Sequence, residues 1–194
     1  KVCVTAEAWA EYLTKEYNRL TGKSNDKPSK TRILHTRGNI PVETDEEGEM
    51  TAVDMDRYIS DITAPPTKIF TKNSKMAKGG SGKVEMVNTG LPALKAIIFD
   101  KKEKKFYTLN TCPGAGQCIT PCYARKGNFA RFPEVIRQSL RRVNYLMNDP
   151  DGYEAQILDE LRKSAKKANK AGNQLRIRWN DSGDFFSERY FVIA

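Results

Sequence analysis

The chain has few of the residues that close a metal site on their own, with one histidine and four cysteines. It also lacks any apolar run approaching the roughly 18 residues that a membrane-spanning helix needs. Its first residues include Glu7, Trp9 and Glu11 and do not form a signal peptide. We therefore expect a cytosolic protein, in which clustered cysteines serve metal or redox chemistry rather than structural disulfides.

Apolar residues are also scarce, at 39% of the chain with a mean hydropathy of -0.64. Some of the 194 residues should therefore form solvated extensions. The net charge of +9 favours an anionic partner, either nucleic acid or a phosphorylated or carboxylated ligand, although a solvated basic surface gives the same balance. The chain opens on Lys1 and stops at Ala194 within an apolar pattern, so we expect a trimmed polypeptide whose C-terminal elements are missing.

Three cysteines lie together in the cysteine loop, residues 112–127, which has the sequence CPGAGQCITPCYARKG. Cys112, Cys118 and Cys122 have the spacing C-x5-C-x3-C, and prolines and glycines keep the backbone between them irregular. Structural zinc sites need four protein ligands, so three thiolates suit zinc poorly. They suit a 4Fe-4S cluster better, with one iron left open to an exogenous ligand or a distant side chain. Three unligated thiols are the plain alternative.

The N-terminal third is predicted to be an extension. Residues 5–21 have the pattern of an amphipathic helix, residues 22–50 form a polar arm, and residues 51–62 predict a second helix, capped by Thr51 with Asp54. Cys3 and His35 lie in this part. Each is either incidental or the fourth ligand of a zinc site. A zinc site is therefore one hypothesis for this chain.

The rest of the chain predicts an α/β fold. Residues 96–99 and 105–110 form a hairpin signal around a charged turn, and the cysteine loop follows directly. Two helical patterns come next, residues 129–147 and 151–172, with arginine- and lysine-rich faces that we expect to be solvated. Residues 174–180 predict a strand. The fold class is a partial parallel sheet or half-barrel with helices on one face, plus the N-terminal helical extension. Residues 1–66 form the extension and residues 67–194 the α/β domain.

The last strand predicts a ligand site. Leu175, Ile177 and Trp179 alternate with polar residues, so the face carrying Arg176 and Arg178 should point into a polar cavity or barrel lumen. The turn that follows, residues 181–188, should lie at the same sheet edge as the cysteine loop, where α/β folds bind ligands. We expect Arg176, Arg178 and Asp184 to line the space above the open iron and to hold a small anionic or zwitterionic ligand.

This layout resembles the first part of a radical S-adenosylmethionine barrel, in which the fourth iron of the cluster chelates the methionine moiety. The resemblance implies S-adenosylmethionine as the small ligand. The chain departs from that family in its cysteine spacing, which is C-x3-C-x2-C in most members, and in lacking the glycine-glycine-glutamate turn. Gly183 and Asp184 lie where that turn belongs.

A closer resemblance rests on several segments together. KNSKM at 72–76, TGLPA at 89–93, the cysteine loop, and RIRWNDSGDFFS at 176–187 are similar to the phage gene product 88 family. The similarity covers about residues 68–194. It implies a phage-encoded protein of the host bacterial cytoplasm, with an iron–sulfur cluster at Cys112, Cys118 and Cys122 and with sequence that continues beyond Ala194.

Two functions therefore stay open beside the zinc site. In the first, the chain binds a 4Fe-4S cluster whose open iron takes a small ligand such as S-adenosylmethionine, and whether it is an enzyme is left undecided. In the second, the cluster is a structural staple or redox sensor, and the basic helices bind nucleic acid or a host protein through residues such as Arg137, Arg141 and Lys166.

Overall fold

The structure is a computed structural model that describes residues 3–4, 42–44, 50–53, 55–72, 83–126, 129 and 132–194. Within these residues there are seven strands and four α-helices. The strands are β1 (Cys3–Val4), β2 (Val42–Thr44), β3 (Met50–Val53), β4 (Val84–Asn88), β5 (Lys95–Asp100), β6 (Lys105–Asn110) and β7 (Gln174–Arg178). The helices are α1 (Met55–Thr63), α2 (Pro133–Asn148), α3 (Pro150–Lys170) and α4 (Glu188–Ile193).

The strands form three small sheets, none of them closed, which confirms the α/β fold class. One is antiparallel with the order β1-β6-β5, and its β5–β6 hairpin is the predicted one. The second is the antiparallel pair β2–β3, in which β2 lies in the predicted polar arm and β3 runs from its last residue into the predicted second helix. The third is the parallel pair β4–β7. The sequence patterns did not predict β4. Strand β7 pairs with β4 and not with β6, because both edges of β6 are occupied, by β5 and β1.

Helix α1 confirms part of the predicted second helix. Its apolar face is the predicted one: Tyr58 and Ile62 are buried, and Met55 and Ile59 pack beside them. It ends at Thr63, just before two prolines. The predicted start is wrong, because Thr51 lies in β3 and cannot cap the helix. The predicted helix at 5–21 lies outside the described residues, as do His35 and most of the arm.

Helix α2 is tied to the free edge of β5 by two asparagines one helical turn apart. Asn144 accepts a hydrogen bond from the Phe99 amide and donates to the Ile97 carbonyl, both at 2.9 Å. Asn148 accepts from the Lys101 amide and donates to the Phe99 carbonyl, also at 2.9 Å. These side chains take the place of a neighbouring strand, so the edge of the sheet is covered.

The predicted helix boundaries need correction. Helix α2 begins at Pro133 rather than at residue 129, as expected for a proline at the first helical position. Helix α3 begins at Pro150, one residue before the predicted start, and is capped by Asp149, whose carboxylate accepts a hydrogen bond from the Gly152 amide. The α3 C-terminus is confirmed, since Gly172 follows it with a φ of +69°. No described helix is long and apolar enough to cross a membrane.

The arginine face of α2 is not solvated as predicted. Arg141 forms an ion pair with Asp61 of α1 at 2.9 Å, and Arg137 lies 3.8 Å from the same carboxylate. Arg142 is buried, with 8% of its surface exposed. The prediction was wrong because helical periodicity separates charged from apolar residues but does not show which charged residues meet an acidic neighbour.

Candidate metal and ligand site

The cysteine loop begins where β6 ends and folds into two single turns of 3-10 helix. Its start is fixed by the Asn110 side chain, which accepts a hydrogen bond from the Cys112 amide at 3.0 Å. Cys118 lies within the first turn (Gln117–Ile119), and Cys122 directly precedes the second (Tyr123–Arg125). All three thiols are free of disulfides. Cys118 is exposed, and the other two are partly buried.

Cys112 has the most specific environment of the three. The Leu94 amide donates a hydrogen bond to its Sγ atom at 3.3 Å. Leu94 has a φ of +65°, a left-handed conformation that is costly for a residue with a β-carbon. The amide that contacts the Cys112 sulfur therefore belongs to a residue with a strained backbone.

The spacing of the thiols bears on which metal group fits the loop. Among the described residues, no three histidine, cysteine, aspartate or glutamate side chains lie close enough together to hold one metal ion. Thiolates on a single zinc ion lie about 3.8 Å apart, since each Zn–S bond is about 2.3 Å in a tetrahedral site. In a 4Fe-4S cluster each thiolate binds a different iron, so the ligands stand farther apart.

The turn after β7 contacts the cysteine loop, but the predicted shared sheet edge is wrong. The loop follows β6 of the antiparallel sheet, and the turn follows β7 of the separate parallel pair. The Asp184 amide donates to the Thr111 carbonyl at 2.7 Å, which joins the turn to the residue before Cys112. The Tyr123 hydroxyl donates to the Asp181 carbonyl. At Gly114, an added Cβ atom would lie 4.0 Å from Asp184 Oδ2. The Asp184 carboxylate therefore faces the loop.

The segment after β4 holds the turn in place from the other side. The Thr89 amide donates to the Arg178 carbonyl at 3.2 Å, and the Asp181 amide donates to the Thr89 carbonyl at 2.9 Å. The Ser182 side chain donates to the Leu91 carbonyl, and the Leu91 amide donates to the Ser182 carbonyl at 2.8 Å. These bonds join the carboxyl ends of the two parallel strands, where α/β folds place ligand sites.

The two aspartates of the turn differ in whether their carboxylate oxygens are free to bind a ligand. Asp181 is buried, and both of its carboxylate oxygens are occupied, one by the Asn88 amide group and the other by Arg178 Nε at 2.8 Å. Asp184 is exposed, and its Oδ1 atom accepts from the Phe185 amide at 2.8 Å. Its Oδ2 atom faces the loop. Asp184, and not Asp181, is the carboxylate available to a group bound on the loop.

The arginines of β7 lie in a different setting from the predicted one. Arg176 and Arg178 are both exposed, and no closed barrel or lumen is formed by the described strands. The expectation of an enclosed polar cavity was wrong because the parallel sheet has two strands and leaves one face open to solvent. Arg178 remains beside the loop through its ion pair with Asp181, the residue to which Tyr123 binds.

Tyr123 is the main functional candidate that the sequence patterns missed. Partial burial and the charge of Asp181 raise the pKa of its phenol, while Arg178 opposes the rise. Its ring packs edge-on against Phe129 at a centroid distance of 5.5 Å. The indication in the sequence that could have identified Tyr123 is its position directly after Cys122. Neither Leu94 nor Asn88 gave any signal, because their roles depend on segments distant in sequence.

The fold and site together define an α/β protein with a thiol-bearing loop docked against the turn that follows a parallel strand. The family model described as gene product 88 matches residues 67–194. That match covers more than half of the chain, which therefore belongs to the gene product 88 family, a family of phage gene products. No curated protein and no solved structure has a significant match to the chain.

Proposed function

We propose that this protein binds a 4Fe-4S cluster through Cys112, Cys118 and Cys122, with one iron open to a small ligand. The observation that carries the proposal is the set of three free thiols on one loop, with a strained amide directed at Cys112 Sγ. When bound, such a cluster supplies a one-electron couple and an open coordination position. The chain's own residues hold the three thiols on one loop, with the Leu94 amide directed at Cys112 Sγ.

The turn after β7 supports a ligand at the open iron. Asp184 Oδ2 faces the loop near Gly114 and can accept a hydrogen bond from an amine. Arg176, in the middle of β7, and Arg178, at its end, lie on one face of the strand and are exposed. Both can bind a carboxylate, Arg178 in addition to its ion pair with Asp181. A zwitterionic ligand such as S-adenosylmethionine carries both groups. We propose this class of ligand, bound in the host bacterial cytoplasm.

The first test is the metal content of single-cysteine variants. We expect protein purified without oxygen to be brown and to contain about four irons and four sulfides per chain. Cys112→Ser, Cys118→Ser and Cys122→Ser should each lose most of this iron. Cys3→Ser is the matched control, because it removes the one cysteine outside the loop, and it should keep the iron. Zinc without sulfide, or iron loss in Cys3→Ser alone, would overturn the cluster assignment.

The second test addresses the open iron separately. The EPR spectrum of the reduced protein should change when S-adenosylmethionine is added, since a ligand on iron alters its electronic environment. Asp184→Asn should weaken this response about tenfold or more in ligand concentration, while its iron content stays at the wild-type level. A spectrum that does not respond to the ligand in the wild-type protein would leave the cluster proposal standing and remove the ligand.

A second candidate function is a structural or redox-sensing cluster on a protein that binds nucleic acid. One observation favours it: the outer face of α3 carries five exposed basic residues, Arg162, Lys163, Lys166, Lys167 and Lys170. This face, rather than the arginines of α2, is the available basic surface, because Arg137 and Arg141 pair with Asp61. Lys163 also pairs with Asp159 at 2.6 Å.

Charge reversal on α3 tests this alternative. Lys166→Glu with Lys170→Glu should lower affinity for DNA or RNA, and the affinity of the wild-type protein should fall steeply as salt is raised. Arg189→Glu is a control away from this face, where an exposed arginine pairs with Asp151 and Glu154. Binding that is absent, or that is independent of salt, would count against a nucleic-acid partner.

A further inference from the structure

The parallel pair has one edge that no described strand covers. Strand β7 (Gln174–Arg178) pairs with β4 on one side, and no described strand pairs with it on the other. The Gln174 amide donates to the Lys83 carbonyl at 2.8 Å, directly before β4. Because alternate residues of a strand bond with the same neighbour, every second residue from Gln174 bonds with β4. The amide and carbonyl groups of the other two residues, Leu175 and Ile177, therefore point away from β4 along this edge, which we call the open edge.

The open edge is accessible to another chain. Leu175 is partly buried, and the other four residues of β7 are exposed. Among the described residues, none forms a hydrogen bond with the amide or carbonyl groups of Leu175 and Ile177. The edge of β5 is different, because the two asparagines of α2 bond with it. An uncovered row of backbone donors and acceptors is a template for an added strand.

Strand β7 has few of the features that normally protect an exposed edge from pairing. It contains no proline, and its register with β4 runs without a shift over all five of its residues, so no bulge turns the edge away. Ile177 exposes 37% of its surface, whereas a protected edge carries polar or charged side chains. The protection that remains is the positive charge of Arg176 and Arg178. Positive charge repels a basic strand but not an acidic one.

Arg176 determines which charge the added strand should carry. Its register partner on β4 is the uncharged Met86, and among the described residues Arg176 has no ion pair. Arg178 differs, because Asp181 binds it at 2.8 Å. A strand added at the open edge would place one side chain opposite Arg176 on the same face, with about 4.5–5.5 Å between the Cβ atoms. An acidic side chain at that position would pair with Arg176.

A second copy of the chain fits the open edge poorly. When two β7 strands pair antiparallel about a two-fold axis, Ile177 lies opposite either Leu175 or Ile177 of the second copy. The first register places Arg176 opposite Arg176, and the second places Arg176 opposite Arg178. Like charges directly opposite each other destabilise a sheet. The occupant is therefore a different chain, with acidic residues where β7 has arginines.

We propose that the open edge of β7 binds an extended segment of another protein, in which an acidic residue lies between two apolar residues. The segment adds as a strand, and its backbone bonds with the amide and carbonyl groups of Leu175 and Ile177. Its acidic side chain pairs with Arg176, and an apolar side chain covers the exposed flank of Ile177. This inference does not rest on the iron–sulfur proposal, since Arg178 stays with Asp181 beside the cysteine loop.

The test measures binding of labelled, end-capped peptides to the full-length protein by fluorescence anisotropy. The first peptide has the core Val-Glu-Val-Glu-Val, and its matched control has lysine in place of each glutamate. The glutamate peptide should bind at least about tenfold more tightly than the lysine peptide, because only the glutamate peptide pairs with Arg176. Equal binding of the two peptides, or no binding of the glutamate peptide at concentrations up to about 1 mM, would overturn the proposal.

Charge reversal separates this site from general attraction to a basic protein. Arg176→Glu should reverse the preference, so that the lysine peptide binds more tightly than the glutamate peptide. Arg162→Glu is the matched control, because it reverses an exposed arginine on α3 and should keep the wild-type preference. If Arg176→Glu keeps the wild-type preference, the proposal is wrong.

A backbone change tests strand addition directly. Ile177→Pro removes an amide that faces the open edge without removing a bond to β4, and it should abolish peptide binding. Ile177→Ala keeps the amide and should still bind the glutamate peptide. Undiminished binding in Ile177→Pro would overturn the proposal. If Ile177→Pro fails to fold, the reversal in Arg176→Glu decides the question.

Sedimentation of the same proteins tests the remaining occupant. We expect Arg176→Glu and Ile177→Pro to have the oligomeric state of the wild-type protein. A wild-type dimer that Ile177→Pro converts to a monomer would assign the open edge to a second copy of the chain and would overturn the proposal.

Discussion

Gly183 sets the shape of the turn that faces the cysteine loop. Its φ of +76° lies in the left-handed region, where an amino acid with a β-carbon is strained. Its neighbour across the turn is Leu91, on the segment after β4. A Cβ atom on Gly183 would lie 2.9 Å from Leu91 Cβ and 3.3 Å from the Leu91 carbonyl oxygen. Glycine at this position therefore satisfies both a backbone and a packing requirement.

Substitution of Gly183 by alanine should separate these two requirements. Gly172 is the control, since its φ of +69° is similar but an added Cβ would meet no atom within 4 Å. We expect Gly172→Ala to lower the free energy of unfolding by about 1–2 kcal/mol, from backbone strain alone. Gly183→Ala should cost about 2–4 kcal/mol, because the contact with Leu91 adds an overpacking penalty. Urea unfolding measures both, and equal losses would contradict the packing argument.

At the scale of elements, the two asparagines of α2 form hydrogen bonds with the β5 edge like those that a fourth strand would form. Asn144 is fully buried, and its amide group also donates to the Leu140 carbonyl of its own helix at 2.9 Å. Helical periodicity placed Leu140 and Val143 on the apolar face, but it could not predict a polar residue beside them. The bonds of Asn144 form only when α2 lies along β5.

Asn144→Ala should therefore be among the more damaging changes in α2. It leaves the Phe99 amide and the Ile97 carbonyl without partners in the interior, and we expect a loss of about 2–4 kcal/mol in the free energy of unfolding. Asn148→Ala is the control at the exposed end of the same pair, where water can replace the bond to Lys101, and it should cost about 1 kcal/mol. Similar costs for the two variants would show that burial does not set the difference.

At the scale of the whole molecule, elements from both sides of residue 66 share one apolar cluster. Helix α1 lies in the predicted extension, yet its Tyr58 and Ile62 pack with Phe99, Phe106 and Leu140 of the predicted α/β domain. The Tyr58 and Phe106 rings stack at a centroid distance of 6.2 Å. The division at residue 66 stays a prediction, and this cluster provides a direct way to test it.

Ile62→Ala tests whether the two parts unfold together. The chain has two tryptophans, so a Trp9→Phe background leaves Trp179 as the reporter of residues 67–194. Because Ile62 is fully buried, we expect its truncation to lower the stability reported by Trp179 by about 2–4 kcal/mol. Ser60→Ala, on the exposed side of α1, should change it by less than about 0.5 kcal/mol. A Trp179 transition unmoved by Ile62→Ala would support independent parts.

The molecule should also lose stability in alkali, because buried tyrosines resist ionisation. Burial raises the pKa of Tyr190, and the nearby Tyr153 adds to the rise. The unfolded chain releases this proton near pH 10 while the folded chain retains it. Stability contributed by Tyr190 is therefore complete below about pH 10 and is lost as the pH rises towards the folded pKa, by about 1.4 kcal/mol per pH unit.

Tyr190→Phe should reduce the loss of stability per pH unit above pH 10 by the contribution of one tyrosine, about 1.4 kcal/mol. At neutral pH the same change should cost about 1 kcal/mol, because the phenol donates a hydrogen bond of 2.8 Å to Asn180 Oδ1. Urea unfolding at pH 8, 10 and 11 measures both effects. An alkaline slope identical to that of the wild-type protein would show that Tyr190 ionises in the folded state.

By itself, the sequence determined the elements whose signal is local. The β5–β6 hairpin, the ends of α1 and α3 at proline and glycine, and the position of the cysteine loop after a strand all follow from periodicity and turn residues. The family was also predicted. Helical and strand periods and backbone restrictions act over a few residues, so they can be found without a structure.

Only the tertiary structure decided which distant residues meet. It paired β7 with β4, turned Arg137 and Arg141 towards Asp61, and buried Arg142 without a carboxylate. In the folded chain, Asn88 and Arg178 bind the two carboxylate oxygens of Asp181, whereas Asp184 faces the cysteine loop. Hydrogen bonds and ion pairs depend on distances of a few ångströms between segments separated by tens of residues, and no local pattern encodes these distances.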